Sequence, residues 1–354
     1  MGASNNGNSP KSILFPILTD IAYIHPKINN WQKYKILNAT AHNRPDNHPS
    51  ITFLYLLLTV FIGAFVFGFI GLGVGLLVYG GYAFQIFASG FSDLNEKALN
   101  LLSIIQIFSA LGTFVIPALL LNRIERRRKP LFNLQVKADW RLYALVVLLM
   151  FVYAPFFEWT IVLNEQLKLP DALHGVEQWM RAKEDQTGVI TNALLSRPSI
   201  GAFITNLFMV GILAAVGEEF IFRGCLQQIL INWLGKPHLA IWLTAIVFSA
   251  IHIQFFGFLP RMLIGALCGY LYFYGRRIWL PILAHFINNA TAIVIAFYLT
   301  RQGKPLDYWE YKSEEWPMAV ASVVLGTILL LLYRSIAHNR KTNGNAGIEQ
   351  NNLR

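Results

Sequence analysis

Charged residues are scarce in this chain of 354 residues, of which 14% are Asp, Glu, Lys or Arg. Apolar residues make up 55% of it. Uncharged stretches of about 20 residues recur, and a helix of that length crosses the hydrocarbon of a bilayer. This composition excludes an ordinary soluble domain. The sequence therefore predicts an all-α, polytopic membrane protein.

Cysteine is nearly absent as well. The two that occur, Cys225 and Cys268, both lie inside apolar runs. They are expected to be small buried hydrophobic residues, because a disulfide or a metal-binding pair is far less common in such a setting. The polar, Asn-rich start of the chain lacks the apolar core and small-residue cleavage site of a signal peptide.

Acidic residues are outnumbered, with 19 Asp and Glu against 29 Lys and Arg, for a net charge of +10. The basic residues stand at the ends of apolar runs, most densely in 123–129, as the positive-inside rule expects of cytoplasmic loops. This pattern predicts no nucleic-acid partner. With the neutral and acidic loops outside, it places both termini in the cytoplasm.

The apolar runs predict about eight transmembrane helices around a cavity, expected at about 51–83, 101–121, 142–162, 198–234, 238–256, 261–274, 279–299 and 316–333. They would form a membrane domain over 51–335, between a polar N-terminal tail (1–50) and a polar C-terminal tail (336–354). The stretch 163–197 is expected to be an outer loop, because its charges nearly cancel. No internal repeat of the kind common in transporters is visible.

Three ionisable residues, Glu218, Glu219 and Arg223, follow an uncharged run inside the fourth predicted span. A single such charge at mid-bilayer costs about 2.5–3.5 kcal/mol even on lenient scales, so the cluster indicates a functional site. Glu219 and Arg223 are an i, i+4 pair on one helix face, while Glu218 points about 100° away. Arg223 can therefore neutralise Glu219 and leave Glu218 free to act as a base towards water.

Two histidines and an amide on later apolar segments complete the predicted site. His252 and His285 can orient a water, donate to an oxyanion or ligate a metal, and Asn289 shares the helix face of His285. These groups suit hydrolysis of a carbonyl by an activated water. The cofactor stays open between none and zinc, which Glu218, His252 and His285 would ligate. Neither a Gly-x-Ser-x-Gly elbow nor a His-Glu-x-x-His pair occurs, which argues against a serine hydrolase and an ordinary zincin.

Each of these residues has a structural alternative: a salt bridge, a packing histidine or an interhelical asparagine. Their occurrence together favours a site. Depth is a conflict, since His285 is expected near the inner end of its helix and His252 nearer the outer end. They meet if the fifth helix starts deep and residues 217–235 form a broken or re-entrant segment lining a wet cavity.

At these residues the chain resembles the CAAX prenyl endopeptidase-like family, the CPBP intramembrane proteases. The similarity covers about 198–299 and consists of three motifs in order: Glu218-Glu219-x-x-x-Arg223, Phe248-x-x-x-His252 and His285-x-x-x-Asn289. It implies an eight-helix core with a conical cavity, where the first Glu activates water. The second Glu and the Arg would support it, and the two His with the Asn would bind the water and the oxyanion.

The resemblance also implies the function: an intramembrane endopeptidase that cleaves a peptide or a lipid-linked protein segment in contact with membrane lipid. The family has been described both as metalloproteases and as glutamate-dependent proteases, and we favour the metal-free mechanism. Eukaryotic relatives trim the last three residues of prenylated proteins. The Asn-rich termini favour a bacterial inner-membrane protein with another substrate. An ion- or proton-coupled transporter and a non-catalytic adaptor or immunity protein are the alternatives.

Overall fold

A computed structural model describes residues 47–125, 131–132, 134–135, 139–306 and 316–351, the last thirteen of these for the backbone alone. Most of the predicted tail 1–50, most of the basic run 123–129 and the acidic loop 307–315 lie outside these ranges. No strand occurs in the described ranges, so the all-α prediction is confirmed for them.

The described residues form ten helices, numbered here in chain order. They are α1 Pro49–Tyr79, α2 Gly81–Ala88, α3 Glu96–Ile124, α4 Trp140–Glu165, α5 His174–Leu195, α6 Ile200–Leu234, α7 Pro237–Ala250, α8 Phe258–Gly275, α9 Trp279–Arg301 and α10 Trp316–Asn351. The last helix continues into the residues predicted as a C-terminal tail, and that domain boundary stays a prediction.

Six of these helices are long and apolar enough to cross a membrane: α1, α3, α4, α6, α9 and the part of α10 up to His338. The polytopic membrane class is thus confirmed, but the count of eight is not. Helix α7 has 14 residues, or about 21 Å, which is less than the roughly 30 Å of bilayer hydrocarbon. Helix α8 has 18 residues and carries Arg261 in its first turn.

The fifth predicted span is wrong at its far end. The apolar run suggested a helix over 238–256, whereas α7 ends at Ala250 and a turn follows. Within this turn Ile253 adopts φ +53°, which is a genuine outlier for a β-branched residue. Such backbone strain costs about 1–3 kcal/mol and persists only where the surroundings enforce it.

Helix α6 is continuous over its 35 residues. The structure therefore does not have the broken or re-entrant passage considered for 217–235. Instead the helix widens to π-type hydrogen bonding over Leu207–Leu213 and Phe220–Leu226, a local change that is frequent at functional sites. As the sequence predicted, it stops at Gly235, whose φ of +65° suits a residue without Cβ.

Helix α6 is also the element that the others pack around. It contacts α1, α3, α7, α8 and α9, and the buried cluster on its flank includes Phe220, Phe222 and Phe248. Where α1 meets α3, a Cβ on Gly63 would collide with the carbonyl oxygen of Gly112, so these small residues permit the close approach. The motif residues of α6 are thus enclosed by helices on several sides.

The segment 163–197, which the sequence predicts to be an outer loop, is more ordered than that prediction implies. It contains α5, a helix of 22 residues, where a charged loop was expected. Most of its side chains are exposed, so its charged groups stay hydrated. Because the segment is polar, it lacks the apolar pattern from which a helix is predicted. Helix α5 matters to the site because it contacts the turn after α7.

Candidate active site

Glu219 and Arg223 form a buried ion pair, as their spacing predicts. Arg223 Nη1 lies 3.0 Å from Glu219 Oε1, with the two side chains 1% and 0% exposed. Arg223 Nη2 donates a hydrogen bond of 2.7 Å to the carbonyl oxygen of Gly265 on α8. The guanidinium also lies 4.8 Å from the ring centroid of Phe248. These extra contacts matter because Coulomb attraction alone often fails to offset the desolvation of a buried pair.

A second hydrogen bond joins the same two helices one turn further on. Gln227 Nε2 donates to the carbonyl oxygen of Gly269 at 3.2 Å. The position needs glycine, because a Cβ there would lie 2.7 Å from Ile241 Cγ2 and 3.0 Å from Gln227 Oε1. No local sequence pattern singles out Gln227, Gly265 or Gly269, because their role depends on the pairing of α6 with α8.

His285 connects both glutamates. Its Nδ1 is 2.9 Å from Glu219 Oε1, and its Nε2 is 3.8 Å from Glu218 Oε2. The longer distance exceeds a hydrogen bond, yet one water can contact both atoms. Glu218 Oε2 is buried and has no hydrogen-bond partner in the described ranges. A buried acceptor of this kind calls for a water or a substrate group.

His252 lies in the turn after α7. Its Nδ1 is 2.8 Å from the carbonyl oxygen of Phe248; since a carbonyl only accepts, Nδ1 carries the proton and Nε2 is the free nitrogen. The Phe248 ring meets both imidazoles edge-on, with centroid distances of 5.3 Å to His252 and 5.8 Å to His285. The expected conflict in depth therefore does not keep the two histidines apart.

Asn289 makes a different contact from the one expected. Its Nδ2 donates to the carbonyl oxygen of Val210 on α6 at 2.8 Å, and its Oδ1 accepts from Asn288 at 3.2 Å. The amide group is thus engaged in holding α9 against the first π-type segment of α6, and within the described ranges it makes no hydrogen bond to His285. An interhelical role of this kind is common for asparagine in membrane helices.

Arg261 is a neighbour of the site that the sequence reasoning left out. Its Nη2 donates to Gln254 Oε1 at 2.5 Å, and its charge interacts electrostatically with Glu218 and Glu184. The signal that points to it is a cation in the first turn of an apolar helix, which by itself suggests function in a membrane protein.

The zinc set considered from the sequence does not fit this arrangement. In the part of the chain that the structure describes, no three or more His, Cys, Asp and Glu side chains are grouped so as to hold a metal ion. Nδ1 of His285 is bound to Glu219 and Nδ1 of His252 to a backbone carbonyl. Nε2 of each ring remains free, so it is the spacing of the candidate ligands that does not suit a metal ion.

A cavity of about 450 Å³ lies between α4, α6 and α9. Its lining is mainly apolar and contains none of the motif residues; it consists of Tyr143, Ile212, Val216, Trp279, Ile282, Leu283 and Phe286. The conical catalytic cavity that the resemblance implies thus stays a prediction.

Comparison with known proteins agrees with the motifs. A family model described as Type II CAAX prenyl endopeptidase Rce1-like matches residues 200–291, a segment that contains all three motifs. No curated protein and no solved structure matches the chain. The chain is accordingly an integral membrane protein whose segment from the start of α6 into α9 is similar to the CAAX protease-like (CPBP) family.

Proposed function

We propose that this protein is an intramembrane endopeptidase in which Glu218 activates a water for attack on a peptide carbonyl. The observation that carries the proposal is the buried Oε2 of Glu218, which has no hydrogen-bond partner in the described ranges and lies 3.8 Å from His285 Nε2. A water between these atoms has an acceptor for its proton and a second group to orient it. The match to a peptidase family supports the same reaction.

In the proposed reaction the water oxygen bonds to the carbonyl carbon while Glu218 takes a proton from the water. Negative charge develops on the carbonyl oxygen and requires donors. Burial lowers the pKa of His252 to about 4, so Nε2, left free because Nδ1 donates to the Phe248 carbonyl, accepts a hydrogen bond in the neutral ring and donates to the oxyanion only after taking up a proton. When the C–N bond breaks, Glu218 returns the proton to the leaving amine, so the base is regenerated.

The remaining motif residues hold the reacting groups in place and do not react themselves. Glu219 accepts from Nδ1 of His285, which leaves Nε2 of that ring as the group facing Glu218. Arg223 pairs with Glu219 and, through its hydrogen bond to the Gly265 carbonyl, ties the second carboxylate to α8. Asn289 keeps α9, and with it His285, in place against α6.

The substrate that we propose is a peptide or a lipid-linked protein segment at the membrane, and the compartment is a bacterial inner membrane with both termini in the cytoplasm. The basic run 123–129 and Arg276-Arg277 support this orientation. Reporter fusions to each terminus test it. Activity of an externally facing reporter at either end would contradict it.

The experiment that tests the activity compares membranes containing the wild-type chain with membranes containing Glu218→Gln. Mass spectrometry of new protein N-termini should find products that require Glu218. Glu165→Gln, which removes a carboxylate at the end of α4, is the matched control and should leave those products unchanged. Identical products from Glu218→Gln would overturn the proposal, and Glu218-dependent proton flux in liposomes without cleavage would favour the transporter.

A further inference from the structure

The turn that carries His252 is held from outside by residues distant in sequence. Within the turn, the backbone N–H of His252 reaches the Ser249 carbonyl at 3.3 Å, and Ser249 Oγ donates to the Phe258 carbonyl at 2.7 Å. Ile253, next to His252, has the strained φ of +53°. A strained turn keeps one conformation only if its surroundings enforce it, and two side chains from other elements contribute to that restraint.

Asn164, in the last turn of α4, is the first of them. It is 1% exposed. Its Nδ2 donates to the Phe255 carbonyl at 2.9 Å, and its Oδ1 accepts from the Leu259 N–H at 2.9 Å. One amide therefore binds a backbone acceptor and a backbone donor on the two sides of Phe256. Removing it leaves two partly buried backbone groups without these partners.

Glu184 on α5 is the second. Its Oε2 accepts from the backbone N–H of Phe256 at 2.9 Å. The same helix covers the turn with Arg181, whose guanidinium lies 4.1 Å from the Phe256 ring centroid, and with Trp179, whose ring is 5.4 Å from that of Phe255. Trp179, Arg181 and Glu184 thus all contact the turn itself.

We propose that Asn164 and Glu184 are positioning residues for His252, and that α5 holds the turn after α7 in its conformation. Neither touches the reacting atoms; together they fix the backbone that follows His252 and so place its imidazole beside Phe248. This inference rests on the proposed function for its effect on catalysis, but the placement itself is independent of it.

Hydrogen–deuterium exchange of the full chain in lipid nanodiscs tests the placement. Asn164→Ala and Glu184→Ala should each raise exchange of the amides in 251–259 by about tenfold, since each loses a buried hydrogen bond. Glu184→Gln keeps an acceptor oxygen and should restore most of the protection. Gln166→Ala, directly after α4, and Asp185→Ala, on α5, should leave the turn unchanged. Unchanged exchange in Glu184→Ala would overturn the proposal, even if Asn164→Ala fails to fold.

A histidine signature separates positioning from general destabilisation. In protein labelled with ¹⁵N in the histidine rings, the His252 signals, assigned with His252→Gln, should shift in Glu184→Ala and return in Glu184→Gln. The signals of His285 should stay in place. A shift of every histidine alike, or of none, would contradict a local role.

The effect on catalysis is measured from the rate at which the Glu218-dependent products form. Glu184→Ala should lower kcat by about tenfold with KM unchanged, because substrate binding does not require the exact place of His252. Unchanged kcat with a loosened turn would overturn the positioning role. If the wild-type chain gives no Glu218-dependent product, the proposed function fails, while the exchange and NMR results still decide whether α5 holds the turn.

Discussion

Oε1 of Glu219 lies 2.9 Å from Nδ1 of His285, inside the structure and between two helices that are far apart in sequence. The same oxygen is 3.0 Å from Arg223 Nη1. Glu219 is therefore held in an ion pair through Oε1, whereas Glu218 has no ion pair with Arg or Lys in the described ranges, although each of the two residues buries an Oε2 without a hydrogen-bond partner there. The two adjacent carboxylates are chemically distinct for this reason, and each predicts a different mutant phenotype.

Glu219→Gln should destabilise the protein by about 3–5 kcal/mol, because it leaves the buried Arg223 without a counter-charge. Glu218→Gln removes a neighbouring carboxylate that has no ion pair with Arg or Lys in the described ranges, so it should change the stability little while abolishing cleavage. Thermal unfolding in detergent, followed by intrinsic fluorescence, compares them. Equal melting temperatures for the two variants would contradict this division of roles.

The part of the site that the sequence predicted is local. The i, i+4 spacing places Glu219 beside Arg223, and Gly235 with Pro237 marks a helix boundary, because both depend only on neighbours along the chain. The bond of Arg223 to Gly265 and that of Asn289 to Val210 depend on how α6 meets α8 and α9. A hydrophobic pattern does not specify these interhelical contacts.

Two elements were predicted incorrectly for opposite reasons. The run 238–256 stays apolar through the turn after Ala250, so hydropathy gives no sign that the helix ends; the end depends on contacts from Asn164 and Glu184. Helix α5 is polar, and its composition predicts a loop. Its contacts with that turn nevertheless hold it in one position. Both errors concern the surroundings of His252, where tertiary contacts override the local pattern.

Gly269→Ala tests the packing of α6 against α8. The new Cβ would lie 2.7 Å from Ile241 Cγ2 and 3.0 Å from Gln227 Oε1, so we expect a loss of about 1–3 kcal/mol from overpacking. Gly68→Ala on α1 is the matched control, because a Cβ there has no atom within 4 Å. It should be neutral or slightly stabilising. A fully stable Gly269→Ala would show that the two helices can separate without cost.

Metal removal should leave cleavage unchanged. The described residues contain no group of three or more His, Cys, Asp and Glu side chains arranged for a metal ion, and in the proposed reaction the carboxylate of Glu218 activates the water. The measurement is the metal content of purified protein together with the yield of Glu218-dependent products after chelation. One zinc per chain, with activity lost on chelation and restored by zinc alone, would contradict the metal-free mechanism.

Helix α5 should loosen at its N-terminal end in acid. Glu177 accepts from Arg181 Nη2 at 2.7 Å and from the Leu169 N–H at 3.0 Å. These bonds, that from Arg181 foremost, hold the pKa of Glu177 below its ordinary value of 4.5. Because the pKa of Glu177 is lower in the folded protein than its ordinary value, the ionised carboxylate stabilises the folded form at pH values above 4.5.

That contribution is lost as the pH falls below 4.5 through the folded-state pKa. Hydrogen exchange of 167–181, corrected for the intrinsic pH dependence of exchange, should therefore rise in this acid range. In Glu177→Gln the carboxylate is absent, so the exchange should be high at neutral pH and change little with acid. Asp171→Asn removes an exposed carboxylate nearby that makes no hydrogen bond to Arg181, and it should keep the wild-type dependence. If that control variant lost the pH dependence and Glu177→Gln kept it, a different carboxylate would be holding this end of α5.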